Sequence, residues 1–137
     1  MANQKKYEDC IFCKIIAGEI PSAKIYEDEK ILAFLDINPV NHGHVLLIPK
    51  THHPKIEETP DEVVADMFVK SKKLMGAIKR AMKAEYVVIS VVGTDVPHLH
   101  IHLIPRWHND GLAGFWPTKK YNEKEMGVAA EKIKSEL

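Results

Sequence analysis

Three histidines alternate with aliphatic residues in the stretch 97–105, which reads PHLHIHLIP. Successive side chains of an extended strand point to opposite faces, so His98, His100 and His102 should share one face while the aliphatic residues between them enter a core. At the usual strand rise the first and third histidines stand roughly 13 Å apart, too far to bind one ion together. Because imidazole titrates near neutrality, the row predicts separate chemical roles for its members.

Cys10 and Cys13 are separated by two residues, a spacing typical of a redox motif or of one half of a zinc site. A redox pair normally follows a strand, and no strand is predicted before this one, which disfavours the redox interpretation. A zinc site needs two further ligands, and the chain contains eight histidines that could supply them. Two buried thiols below a short helix over residues 12–17 are the structural alternative, and the spacing alone leaves both open.

The overall composition limits the partners and the compartment. Nineteen basic residues balance nineteen acidic ones, so no global field attracts nucleic acid or anionic lipid. No apolar run approaches the ~20 residues that span a bilayer, and the N-terminus lacks the apolar segment of a secretory signal. We therefore expect one domain over residues 1–137 in the cytoplasm, with reduced cysteines and with neither a nucleic-acid nor a membrane partner.

The hydrophobic pattern predicts an α+β fold with an antiparallel sheet of about five strands. The predicted strands cover 24–28, 31–36, 44–49, 86–92 and the triad stretch. Between the third and fourth strands, Thr59-Pro60-Asp61-Glu62 has the form of a capping box, and a long amphipathic helix should run from it to about Lys83. Its apolar stripe comprises Val64, Met67, Phe68, Ser71, Leu74, Met75, Ile78 and Met82. The long helix should pack on one face of the sheet, with short N- and C-terminal helices, the latter capped by Asn122.

Four blocks of the sequence resemble the histidine triad (HIT) family, in the order in which that family carries them. They are CIFCKIIAGEIP at 10–21, AFLDINP at 33–39, GHVLLIPK at 43–50 and HLHIHLIP at 98–105. The resemblance is to bacterial-type members of the nucleotide-binding branch. It implies a HIT-like fold, a homodimer, and an enzyme that hydrolyses AMP- or GMP-type conjugates. Such enzymes cleave a phosphoramidate or phosphoanhydride bond at the α-phosphate through a nucleotidyl-histidine intermediate.

The resemblance also implies roles for individual residues. His100 matches the nucleophile, and His102 and His44 match histidines that line the phosphate site, where N–H groups stabilise developing charge. The positions matched to nucleotide binding are Phe12, Ile15, Phe34 and Ile37 for the base, Asp36 for the ribose hydroxyls, and Ser90 and Gly93 in the loop before the triad.

The same resemblance implies a zinc ion bound by Cys10, Cys13, His52 and His98. Two thiolates and two imidazoles leave no open coordination position, so this zinc would be structural. It would fix the N-terminus to the catalytic strand. His53 is adjacent to His52 and could replace it, a choice that the sequence leaves open. No redox or organic cofactor is expected.

The chain departs from the family pattern in the loop 90–97, which is shortened. Asp95 stands where a hydroxyl donor to phosphate is expected, and an ionised carboxylate there would repel a phosphate oxygen. Either Asp95 points away and backbone N–H groups bind the phosphate, or the substrate differs. A dinucleoside polyphosphate hydrolase and a nucleotide-binding scaffold of low activity are therefore alternative functions. The segment 106–117, with Trp107, Phe115 and Trp116, is interpreted as a lid, a dimer contact or ordinary packing.

Overall fold

The computed structural model describes residues 9–114 and 117–137, and within them the predicted α+β class is confirmed. The helices are α1 (Ile11–Ile16), α2 (Asp61–Met82) and α3 (Glu125–Ser135), with a 3-10 turn at Ile56–Glu58. The strands are β1 (Lys24–Glu27), β2 (Ile31–Leu35), β3 (Val45–Pro49), β4 (Tyr86–Ser90) and β5 (Ile101–Arg106). Among the described helices, none has the length and apolarity needed to cross a bilayer.

The five strands form one antiparallel sheet in the order β1-β2-β3-β5-β4. The register between β3 and β5 sets Leu46 opposite His102. The strand that was predicted to carry all three histidines begins only at Ile101, so His98 and His100 lie in the irregular segment just before it. In that segment the backbone N–H of Leu99 donates to the carbonyl of His53, which belongs to a loop and not to a neighbouring strand.

Both faces of the sheet are covered, which explains why β2 and β3 are apolar along their whole length. The α2 face forms a core that contains Leu99, Ile101 and Leu103, so the predicted alternation across the histidine stretch is confirmed. Each fully buried aliphatic side chain of this kind contributes about 1.5–3 kcal/mol. On the opposite face α1 packs Phe12 and Ile15 against the sheet, and this is the face that the histidines share.

The predicted capping box at the start of α2 is wrong. Pro60 occupies the N-cap position with no side-chain cap, and the hydroxyl of Thr59 instead donates to the carbonyl of Lys55 at 2.7 Å. The helix start is favoured by the acidic residues Asp61 and Glu62 in its first turn, which complement the helix dipole. The buried stripe is Met67, Ser71, Leu74 and Ile78, whereas Phe68, predicted in that stripe, is 41% exposed.

The C-terminal part of the chain differs from the rest because α3 buries none of its residues. Its predicted side-chain cap is also wrong, since Asn122 contributes its backbone carbonyl to the N–H of Glu125. Before α3, the indole N–H of Trp107 donates to the carbonyl of Lys83 at the end of α2. Trp107 thus contacts the end of α2, and none of the described residues of 106–117 lines the cavity described below. Phe115 and Trp116 lie outside the described residues.

Candidate functional site

His100 is the histidine whose lone pair faces the cavity. Its Nδ1 lies 2.8 Å from the carbonyl of His98, and a carbonyl can only accept, so Nδ1 carries the proton. In the neutral ring Nε2 is then the unprotonated nitrogen. The side chain is 1% exposed, and Nε2 makes no hydrogen bond within the described part of the chain. The ring is wedged edge-on against Phe12, with ring centroids 5.1 Å apart. An imidazole that is held through Nδ1 by a backbone carbonyl and directs Nε2 at a cavity is arranged for nucleophilic attack.

His44 and His102 form a short relay whose protonation follows from one backbone group. The N–H of Val40 donates to Nδ1 of His44, so His44 must carry its proton on Nε2. That N–H donates to Nδ1 of His102 at 3.0 Å. His102 is therefore protonated on Nε2, and it lines the cavity, so its N–H can donate to a ligand.

Burial lowers the pKa of both relay imidazoles below the ordinary value of 6.5. In His44 the charge of Asp36 opposes that effect and His102 adds to it. In His102 the neighbouring His100 adds to it, while Asp95 and Asp36 oppose it. Both rings are consequently neutral at pH 7. His44 is 3% exposed, is not among the described residues that line the cavity, and contacts His102 through its Nε2.

A mostly apolar cavity of ≈250 Å³ opens between α1 and the sheet. This is below the ~300–1,000 Å³ of pockets that bury whole drug-sized ligands, so it suits one nucleotide moiety. Five predicted nucleotide-binding residues line it: Phe12, Ile15, Phe34, Asp36 and Ile37. Ser90 and Gly93 do not. Ser90 is paired with His102 in the sheet, and Gly93 turns the loop with φ of +77°.

Asp36 and Asp95 are the charged side chains in the described lining of the cavity, which includes no lysine or arginine. Asp36 uses Oδ1 to accept the N–H of Asn38, and its Oδ2 lies 3.7 Å from Nε2 of His44. Asp95 does not point away from the triad, because its Oδ1 lies 3.2 Å from Nε2 of His100. Burial would raise the pKa of the Asp95 carboxyl. Hydrogen bonds from its own N–H and that of Val96, with the nearby His100 and His102, lower it overall.

Cys10, Cys13, His52 and His98 converge at the start of α1, with their ligand atoms within 4.8 Å of one another. The sulfur–nitrogen distances are 3.3 Å for Cys10–His98, 3.3 Å for Cys13–His52 and 3.5 Å for Cys13–His98, and the two Nδ1 atoms are 3.2 Å apart. A tetrahedral zinc with ligands at ~2.0–2.3 Å separates its ligand atoms by roughly 3.3–3.8 Å. The four residues therefore fit the ion in spacing and in donor type.

The tautomer of His98 also fits a metal ligand. Its Nε2–H donates to the carbonyl of Pro49 at 2.9 Å, which leaves Nδ1 unprotonated toward the thiols. Burial lowers the pKa of this imidazole to about 4 and, together with Cys10, raises the pKa of the Cys13 thiol to about 12. His52 is the histidine of loop 50–55 that joins the cluster, whereas Nε2 of His53 lies 2.8 Å from the hydroxyl of Thr51.

Some contributing groups were missed by reasoning from sequence. The orienting partners are backbone atoms of Val40, Pro49 and His98, which no side-chain pattern encodes. Further residues line the cavity without having been predicted to do so: Ile11, Ile20, Pro21, Ser22, Leu35, Asn38, Leu46 and Val96. Six of these eight fall in the blocks that resemble the family, which was the available signal for them: Ile11, Ile20, Pro21, Leu35, Asn38 and Leu46.

Comparisons with known proteins identify the family and the same fold. The HIT domain matches residues 17–109. The chain is 39% identical over 141 residues to adenosine 5′-monophosphoramidase HNT1 of Candida albicans, covering 96% of this chain and 93% of the relative. It is 47% identical over 128 residues to adenylylsulfatase HINT3 of Arabidopsis thaliana, covering 90% of this chain but 64% of that longer relative. A zinc-bound histidine triad family protein from Mycobacterium smegmatis superposes with a TM-score of 0.74 at 32% identity, covering 96% and 99% of the two chains.

Proposed function

Because this chain belongs to the HIT family, we propose that it is an enzyme that hydrolyses purine nucleotide conjugates at the α-phosphate. Relatives named as adenosine 5′-monophosphoramidase and adenylylsulfatase support a nucleotide phosphoramidase or hydrolase. The observation that carries the proposal is the orientation of His100, whose Nδ1–H is held by the carbonyl of His98 while Nε2 is buried and unbonded at the cavity.

In the proposed reaction Nε2 of His100 attacks the α-phosphorus, forming a nitrogen–phosphorus bond. The bond from phosphorus to the leaving group breaks, and the leaving group departs with the electron pair and takes up a proton. Water then attacks the nucleotidyl-histidine, which releases the mononucleotide and restores the imidazole. The Nε2–H of His102 donates to a phosphoryl oxygen, where negative charge develops. His44 positions His102 and does not touch the phosphate.

The nucleotide would bind with its base among Phe12, Ile15 and Phe34 and its ribose beside Asp36. An ionised carboxylate offers about four acceptor sites, so Asp36 can bond Asn38 and still accept from the ribose hydroxyls. We expect a preference for AMP over deoxy-AMP conjugates that Asp36→Ala removes. Equal turnover of both by the wild-type protein would contradict this assignment.

The deciding experiment incubates the protein with an adenosine phosphoramidate and measures AMP release. His100→Ala should abolish turnover, and intact-mass analysis of the quenched wild-type reaction should detect a covalent nucleotidyl adduct that the variant lacks. His108→Ala is the matched control, because His108 is 74% exposed and outside the cavity. Turnover that survives His100→Ala but disappears on brief chelation would refute the nucleophile and favour metal-dependent hydrolysis.

The thiol and imidazole cluster is proposed to hold a structural zinc, with His52 as its fourth ligand. The ion would supply no chemistry to the reaction but would fix α1 to the segment that carries His98 and His100. The cluster needs reduced thiols, and both cysteines are free, which supports the cytoplasm as the compartment. Metal analysis should find about one zinc per chain in the wild-type protein and little in Cys13→Ser.

A homodimer is proposed from the family and is supported by α3. In this helix the exposed fractions of Met126, Val128 and Ile133 are 64%, 53% and 65%. Apolar side chains exposed together in this way are typical of a surface that a partner covers. Sedimentation equilibrium should give twice the chain mass. A monomer at micromolar concentration would contradict it.

The scaffold alternative is favoured by one observation, the contact between Asp95 and His100. A carboxylate 3.2 Å from the nucleophile occupies space that a phosphate needs. If AMP binds by calorimetry but neither phosphoramidates nor dinucleoside polyphosphates are hydrolysed, the protein is a nucleotide-binding scaffold.

A further inference from the structure

The side chain of Asn41 connects the loop that carries His44 to the end of β5. Within the loop 36–44, the N–H of His44 donates to the carbonyl of Asn41 at 3.1 Å. The side chain of Asn41 reaches out of the loop instead, and its Nδ2 lies 2.9 Å from the carbonyl of Pro105 and 3.1 Å from Oδ2 of Asp110. A carbonyl and an ionised carboxylate can only accept, so the amide is held with its NH2 group toward both of them.

Asp110 is a fixed acceptor for this amide. Its side chain is 4% exposed and accepts from the guanidinium of Arg106 and from the backbone N–H groups of Trp107 and Leu112. The Arg106 guanidinium, together with these N–H groups and Asn41, holds the pKa of the Asp110 carboxyl well below its usual range, so the carboxylate is ionised at neutral pH. Because its oxygens are bound by these groups, Asp110 offers Asn41 an acceptor of fixed position.

The position of Asn41 matters for the relay because the same turn orients the ring of His44. The N–H of Val40, the residue before Asn41, donates to Nδ1 of His44 at 3.1 Å, which leaves the proton of His44 on Nε2. That Nε2–H in turn donates to Nδ1 of His102. A shift of this turn would withdraw the Val40 N–H, admit the other tautomer of His44, and so allow the proton of His102 to move to Nδ1.

Packing against α2 also restricts this turn. Gly43 has a φ of +97°, and a Cβ at this position would lie 2.8 Å from the Cγ of Met82 at the end of α2, so the main chain approaches that side chain closely. Such contact limits where the turn can lie but has no preferred direction. Hydrogen bonds are directional, so the bonds of Asn41 are suited to fix the direction in which the neighbouring N–H of Val40 points.

We infer that Asn41 is a positioning residue for the reaction and that it acts through the tautomer of His102. Asn41 is not among the described residues that line the cavity. The inference rests on the hydrolase function proposed above, because the Nε2–H of His102 is the donor assigned there to a phosphoryl oxygen. The chain of contacts comprises Asp110, Asn41, Val40, His44 and His102.

The first test measures the tautomers directly, by long-range ¹H–¹⁵N NMR correlation spectra of the imidazole rings. In the wild-type protein His44 and His102 should both carry the proton on Nε2. Asn41→Ala removes both amide donors, and Asn41→Asp keeps the shape but turns a carboxylate toward the two acceptors, so in either variant His102 should show a mixture of tautomers. Trp107→Phe is the matched control, because it breaks the hydrogen bond to Lys83 and leaves the contacts of Asn41 in place.

The second test compares kcat for AMP release from an adenosine phosphoramidate. Because loss of an oxyanion donor costs about 10²–10³-fold, a mixture of tautomers should lower kcat about tenfold in Asn41→Ala, with little change in KM. In a double variant with His44→Ala, the Asn41 substitution should have no further effect, because its route to His102 is already broken. Trp107→Phe should keep the wild-type kcat and the wild-type imidazole spectra.

Unchanged imidazole spectra in both Asn41 variants would overturn the inference, as would losses that multiply in the double variant or an equal loss of kcat in Trp107→Phe. A rise in KM at constant kcat would also overturn it, since Asn41 would then act on binding. If Asn41→Ala does not fold, Asn41→Asp decides by the same measurements. If the wild-type protein releases no AMP, the hydrolase function fails, while the spectra still decide whether Asn41 sets the tautomer of His102.

Discussion

Removing His44 should slow the enzyme although this side chain does not line the cavity. Nε2–H of His44, fixed by the N–H of Val40 on the other side of the ring, holds Nδ1 of His102 at 3.0 Å. In His44→Ala the imidazole of His102 can take either tautomer, and one of them presents a lone pair to the phosphate. Losing an oxyanion donor outright costs about 10²–10³-fold in kcat, so partial loss of the correct tautomer should cost about 10–100-fold.

The assay is a double-mutant cycle on kcat for AMP release, using His44→Ala, His102→Ala and the double variant. If His44 acts through His102, its removal should have little further effect once His102 is gone. His42→Ala is the matched control, an exposed histidine two residues away. His44→Ala also removes the acceptor of the Val40 N–H, which costs about 1–3 kcal/mol of stability. Rates should therefore be compared well below the melting temperature of each variant. Losses that multiply in the double variant would refute the relay.

Other predictions concern stability. Chelation of the wild-type protein, or Cys13→Ser, should lower the melting temperature, and re-adding zinc should restore only the wild-type value; an unchanged melt would argue against a bound metal. Since the folded pKa values of His44 and His102 lie below the ordinary 6.5, the unfolded chain binds more protons below that pH. The free energy of unfolding should therefore fall as the pH is lowered from about 6.5 through the folded pKa values, and a double His44→Asn, His102→Asn variant should lose that part of the slope. Trp107→Phe removes the donor to the Lys83 carbonyl and should cost about 0.5–1.5 kcal/mol in urea unfolding, whereas an unchanged midpoint would make that contact incidental.

The sequence was most informative where a pattern of residue types maps directly onto geometry. Alternation along 98–103 predicted which residues enter the α2 core, because period two is a property of any extended chain. The spacing of Cys10 and Cys13 suggested a ligand pair, and the family match completed the set with His52 and His98, which the structure brings together.

Other features depended on contacts that no local pattern contains. Whether His52 or His53 joins the cluster depends on the direction in which the loop orients each ring. Which ring nitrogen carries the proton in His98 and His100 depends on backbone carbonyls. The capping box failed because the hydroxyl of Thr59 had a competing acceptor four residues before it. Asp95 is unusual in the sequence, but its contact with His100 depends on the path of the loop 90–97, which no local pattern encodes.

The carbonyl of His98 that orients the nucleophile belongs to the main chain, and this gives the site an unusual tolerance to substitution. Where a catalytic histidine is aimed by a carboxylate, a single substitution of that carboxylate disorients it. Here every residue that could replace His98 brings the same acceptor oxygen, so the side chain at this position can be exchanged while the oxygen that holds Nδ1 of His100 remains. Lineages that lose the thiol and imidazole cluster can therefore keep the nucleophile in its working tautomer, provided that packing alone maintains the path of the backbone.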